Sequence, residues 1–88
     1  MTRETRMLNL SKLLLENGLP DQPVMLIEAH RNFAGSWRIK FSYDESEPLS
    51  LNAEHASELA VTLLEIGEDE MASEIREAVG NARRYATM

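Results

Sequence analysis

Two histidines are the only imidazoles in the chain, and each has a carboxylate at a spacing that permits chemistry. His30 follows Glu28 by two positions, so in an extended strand both project from one face as an acid–base pair. His55 precedes Glu58 by three, so on a helix both fall on one side and offer two metal ligands. Two ligands fall short of the three or four that a zinc site takes. His55 therefore reads as the solvated border of a helix's apolar arc. A general base at His30 also needs a concave pocket and an oriented substrate, which a hairpin on so short a chain rarely provides. No serine or threonine sits in a nucleophile motif, there is no cysteine, and Asn32-Phe33-Ala34-Gly35-Ser36 lacks the glycines of a phosphate loop. These residues point away from an enzyme and imply neither metal nor cofactor.

Charge is the more informative chemistry. The net charge is −6, and it is unevenly spread. Residues 1–43 carry six Lys/Arg against four Asp/Glu, whereas residues 44–77 carry eleven acids against Arg76 alone. Glu70, Glu74 and Glu77 repeat at helical spacing beside an apolar stripe. The plain reading is a solvated surface that keeps a small domain soluble. The functional reading is recognition of a basic partner by an inhibitor, an immunity-type protein or a nucleic-acid mimic, with glutamates steering association. Arg31, Arg38 and Lys40 raise the opposite possibility, a nucleic-acid ligand. A sheet that reads single strands stacks bases on aromatics beside its cations. Here Trp37, Phe41 and Tyr43 alternate with Arg38 and Lys40 and so occupy the opposite face. Nucleic acid is therefore disfavoured.

The elements that must position these groups begin with residues 24–43, which read as a β-hairpin. Trp37, Ile39, Phe41 and Tyr43 alternate with Ser36, Arg38, Lys40 and Ser42, the period-two pattern of a half-buried strand. Met25, Ile27 and Ala29 join the aromatic face in the preceding strand. Val24, Leu26, Glu28 and His30 then share the face of Arg38 and Lys40. Val24 and Leu26 are apolar on a face that ought to be wet, so either the N-terminal segment or a second subunit should cover them, which marks them as candidate interface residues of a homodimer. Gly35 supplies the positive φ of the hairpin loop. Phe33 at the loop tip either folds back over the sheet edge or anchors a partner.

Helices flank the hairpin. Residues 3–16 place Met7, Leu10, Leu13 and Leu14 on one side, and Leu8 and Leu15 widen the arc toward a second surface. Residues 7–10 alone also fit a strand. Asn17-Gly18 ends this helix, and Pro20 and Pro23 enforce a turn. Pro48-Leu49-Ser50-Leu51 alternates again and suits a short third, edge strand. Asn52 caps a helix over 53–66, Gly67 ends it, and a last helix opens at Glu68-Asp69-Glu70. Its apolar stripe is Met71, Ala72, Ile75, Ala78, Val79 and Ala82, with Gly80-Asn81 weakening the far end and Arg84 near its limit.

The expected architecture is a single domain over 1–88, a small two-layer α+β fold. It has an N-terminal helix, an antiparallel hairpin or three-stranded meander, and a C-terminal helical hairpin. At 88 residues the core is small and self-association would enlarge it. No run reaches the roughly 20 apolar residues of a membrane span, and no signal peptide is evident, so a cytoplasmic location is expected. The reading is a small non-enzymatic interaction or regulatory protein, homodimeric through Val24/Leu26 or the first helix. The alternatives are an acidic inhibitor of a basic partner using Glu70, Glu74 and Glu77, and a minor ligand-binding or enzymatic role near His30.

Overall fold

The structure is a computed structural model that describes residues 3–87. The elements run α1 (Arg3–Glu16), β1 (Leu26–Arg31), β2 (Trp37–Ser42), β3 (Leu49–Leu51), α2 (Ala53–Glu65) and α3 (Asp69–Ala86). The three strands form an antiparallel meander in the order β1-β2-β3. The expected two-layer α+β architecture is therefore present, including the third strand.

The alternation in β2 does what period two requires. Ile39 and Phe41 are fully buried under α2 and α3, with Tyr43 just beyond the strand. Leu51 and Leu49 of β3 stand opposite Ile39 and Phe41. Ala56, Leu59, Ala60 and Leu63 of α2, and Ala72, Ile75, Ala78, Val79 and Ala82 of α3, complete the core. Alanines at the contact let the two helices lie close to each other and to the sheet. Trp37 is the exception among the aromatics. It sits half-buried at the hairpin end of the sheet, its ring 5.1 Å from that of Tyr85 at a 46° tilt.

The hairpin loop closes by a type I turn followed by Gly35 at φ 90°. The Gly35 N–H donates to Asn32 O at 3.0 Å, and the Asn32 N–H to Ser36 O at 2.8 Å. Phe33 rides on the tip fully exposed and does not fold back over the sheet edge.

At the other end of β1 the structure corrects the expected parity. Leu26 is the register partner of Ser42, yet the Met25 N–H also donates to Ser42 O at 2.8 Å. Two residues thus oppose one, the geometry of a β-bulge. The extra residue flips every side chain that precedes it. Met25 leaves the aromatic face and is exposed, whereas Val24 turns inward and packs against the core. Val24 is therefore covered by its own chain, and only Leu26 remains on the outer face as expected.

α1 ends in a Schellman motif, with the Leu19 N–H on Leu14 O at 2.9 Å and Gly18 at φ 76°. Leu14 and Leu19, the pair that this motif brings together, are both buried. The Asn17 Nδ2 donates to Leu13 O at 2.8 Å, leaving Oδ1 to accept from His55 Nε2 at 2.7 Å. His55 is thus a half-buried tie between α1 and the start of α2 rather than a solvated border. Only one side of α1 meets the domain. Met7, Leu8 and Leu15 are 61%, 70% and 62% exposed. The molecule is correspondingly elongated, 44 × 26 × 18 Å.

Candidate functional site

β1 is an edge strand, and its unpaired side is where the sequence's candidate residues converge. Its partner-facing atoms follow from the hairpin. The Asn32–Ser36 pair is hydrogen-bonded, so by alternation His30, Glu28 and Leu26 direct their backbone groups toward β2. Ile27, Ala29 and Arg31 direct their N–H and C=O groups outward, to the open edge.

α3 hangs along that edge. Glu70, Glu74, Glu77, Asn81 and Tyr85 recur at spacings of four, three, four and four, which places them in one stripe of the helix. A groove of about 420 Å³ runs between this stripe and the strand. Residues 25–29 form one wall, and Glu74, Glu77, Ala78, Asn81 and Tyr85 form the other. A second hollow of about 320 Å³ continues it toward α1, sharing Ile27 and Glu74 and adding Val24, Leu10, Glu70 and Met71. Both lie within the size range of ligand-binding clefts. Val24, Leu26, Glu70, Glu74 and Glu77 thus line two adjoining hollows, together the channel, although the sequence separates the first two from the last three by some forty residues.

The channel is acidic along α3, at Glu70, Glu74 and Glu77. Its far end is different. Arg84 donates to Asn81 Oδ1 and stacks 5.8 Å from the Tyr85 ring, and Arg31 lines the next hollow with Trp37. These cations lie beyond the residues that line the groove, next to its Tyr85 end.

The remaining candidates stand apart. Phe33 is at the hairpin tip, outside the channel. His30 faces Arg38 and Glu28 faces Lys40 across the strands, on the outer face of the sheet. Arg38 is committed to Ser50 of β3 through bonds of 3.1 Å to Oγ and 3.3 Å to O. Among the described residues no three His, Asp or Glu groups stand together to hold a metal ion. Glu58 is exposed on α2, and His55 is engaged with Asn17.

Sequence reasoning missed Asn81 and Tyr85 as members of the channel. The signal was present in the spacing from Glu77, but Gly80-Asn81 suggested a weakened helix there. Helix α3 runs through Gly80 to Ala86. The row that begins with Glu70, Glu74 and Glu77 is thus continued to the helix end by the uncharged Asn81 and Tyr85. Comparison of the chain with known protein families, curated proteins and solved structures finds no match, so its geometry alone informs its function.

Proposed function

We propose that this chain is a small non-enzymatic interaction domain that takes up a basic segment of a partner protein in the channel between β1 and α3. The observation that supports it is the placement of Glu74 and Glu77 along a groove whose facing wall is an open strand edge, with Glu70 lining the hollow beside it. A solvated acidic face needs no such alignment. The partner class is a basic protein, as the acidic-inhibitor reading of the sequence anticipates, and the glutamates accelerate encounter as well as holding the bound segment. The encounter is set in the cytoplasm, since a cysteine-free chain requires no oxidising compartment.

The test is calorimetric titration of the chain with an acetylated, amidated peptide alternating lysine and valine, about eight residues long to span a strand. Binding is expected to weaken as salt is raised, because exposed pairs are screened. The double substitution Glu74→Gln, Glu77→Gln is expected to weaken it about three- to thirtyfold, at about 0.3–1 kcal/mol per exposed pair. Salt-independent binding, or none, refutes the proposal.

A second reading, self-association, is favoured by one observation: the exposed stripe of Met7, Leu8 and Leu15 on α1. A homodimer through that stripe leaves the channel open. Light scattering at high micromolar concentration tests it, and a strict monomer rules it out.

A further inference from the structure

We infer that the partner segment enters the channel as a fourth strand, pairing its backbone with the open edge of β1 in an extended conformation. This rests on the proposed function and specifies its geometry. The outward N–H and C=O groups of Ile27 and Ala29, with those of Arg31 at the end of the strand, are a row of directional partners already set at strand spacing. In the meander the other two inter-strand seams are filled, since β2 is paired on both sides. Residues 25–29 line the groove consecutively, as a strand does that borders a space with its edge rather than with one face. Main-chain bonding supplies affinity in this mode, and alternate side chains supply specificity.

The occupant's chemistry follows from the walls. In an added strand, alternate side chains point to the helix side of the sheet and to its outer side. Those on the helix side rise against the stripe of Glu74 and Glu77, so they are lysine or arginine. Those on the outer side run beside Leu26, Glu28 and His30, so an apolar residue suits the position beside the exposed Leu26, where Met25 stands at the mouth of the channel. The segment is therefore extended, with cationic and apolar residues in alternation.

A second copy of β1 is a poor occupant. It would bring its own Glu28 and the overhanging Glu74 and Glu77 against the same groups of the first copy, and like charges held opposite each other destabilise a sheet. Charge complementarity thus separates a basic strand from self-pairing.

The experiment uses three peptides on the full chain: the alternating lysine–valine peptide, one N-methylated at every lysine, and one N-methylated at every valine. A strand turns alternate N–H groups to each edge, so only one methylated set can face β1. Strand addition predicts that one methylated peptide loses affinity by about tenfold or more, as several main-chain bonds are removed together, while the other binds like the parent. Loss in both methylated peptides, or in neither, overturns strand addition. If the parent still binds with salt sensitivity in that case, the acidic channel stands as the binding site and only the geometry is wrong. Failure of the parent to bind removes both.

Discussion

The sharpest stability prediction concerns Tyr43. It ends the aromatic series of β2, is 9% exposed, and its Oη finds no hydrogen-bond partner among the described residues. In the unfolded chain that hydroxyl is bonded to water. Burying it unbonded costs about 1–3 kcal/mol. Replacing Tyr43 by Phe removes the cost and keeps the ring. The void left by one oxygen is small, roughly 15 Å³, and at about 24 cal/mol per Å³ subtracts only about 0.4 kcal/mol. The net expectation is a gain of about 1 kcal/mol. With an unfolding entropy of about 2.1 cal/mol/K per residue, that raises Tm by about 5 °C in a chain of 88 residues. Urea denaturation at pH 7 measures the free energy and calorimetry the Tm.

The same residue fixes a pH dependence. Burial pushes the Tyr43 phenol above its ordinary value of 10.0. In alkali the unfolded chain therefore releases this proton before the folded chain does. The contribution of Tyr43 to stability is intact below pH 10 and is lost as pH rises through the folded value. One proton gives a slope of at most about 1.4 kcal/mol per pH unit. Phenylalanine has no such slope, so the advantage of Tyr43→Phe widens between pH 10 and pH 11. A Tyr43→Phe chain less stable than the parent by 1 kcal/mol at pH 7 shows that Oη is bonded, and refutes the reasoning.

Two further expectations follow from the helices. Gly80 lies inside α3, is exposed, and an added Cβ would meet nothing within 4 Å, so Gly80→Ala should stabilise by about 0.5–1 kcal/mol in the same urea assay. Leu14 is, among the described residues, the one buried side chain that α1 contributes to the core, so Leu14→Ala should cost about 2–4 kcal/mol and raise amide exchange in α1 before the sheet, measured by hydrogen exchange.

How far the fold is legible depends on how local its cause is. The strand at Trp37–Ser42 is readable because alternation is a property of adjacent residues, and the cap at Asn52 is readable for the same reason: its Oδ1 accepts from the His55 N–H at 2.7 Å. The positions of Val24 and Met25 are not. Alternation carried backward from Glu28 assigns them correctly only if the ladder is unbroken, and the bulge opposite Ser42 breaks it. That bulge depends on where Pro23 and the turn after α1 bring the chain, which no window of neighbours encodes. Helix α1 shows the same division. Its leucine spacing predicts a helix, but not that Leu8 and Leu15 would be left without a second surface. The glutamate row is visible as a row. That it overlooks β1 rather than open water follows from the order β1-β2-β3, which sets β1 at the edge beneath α3.

That placement bears on what the glutamates are for. An open strand edge pairs with whatever extended chain it meets, and natural sheets protect such edges with charge. Here the charges sit on the neighbouring helix, above the edge, and leave the outward backbone groups of Ile27 and Ala29 unobstructed. A barrier meant to forbid all pairing would place a charged side chain, a proline or a bulge within the exposed run itself. The bulge lies before Leu26, at the start of the strand, and residues 27–29 hold only Glu28, which points to the outer face. Repulsion from α3 therefore acts on the sign of the incoming chain and not on its backbone. In the proposed binding mode acidic and self-like strands would be turned away and cationic ones drawn in, so that a single row of carboxylates would both guard the edge and select its partner.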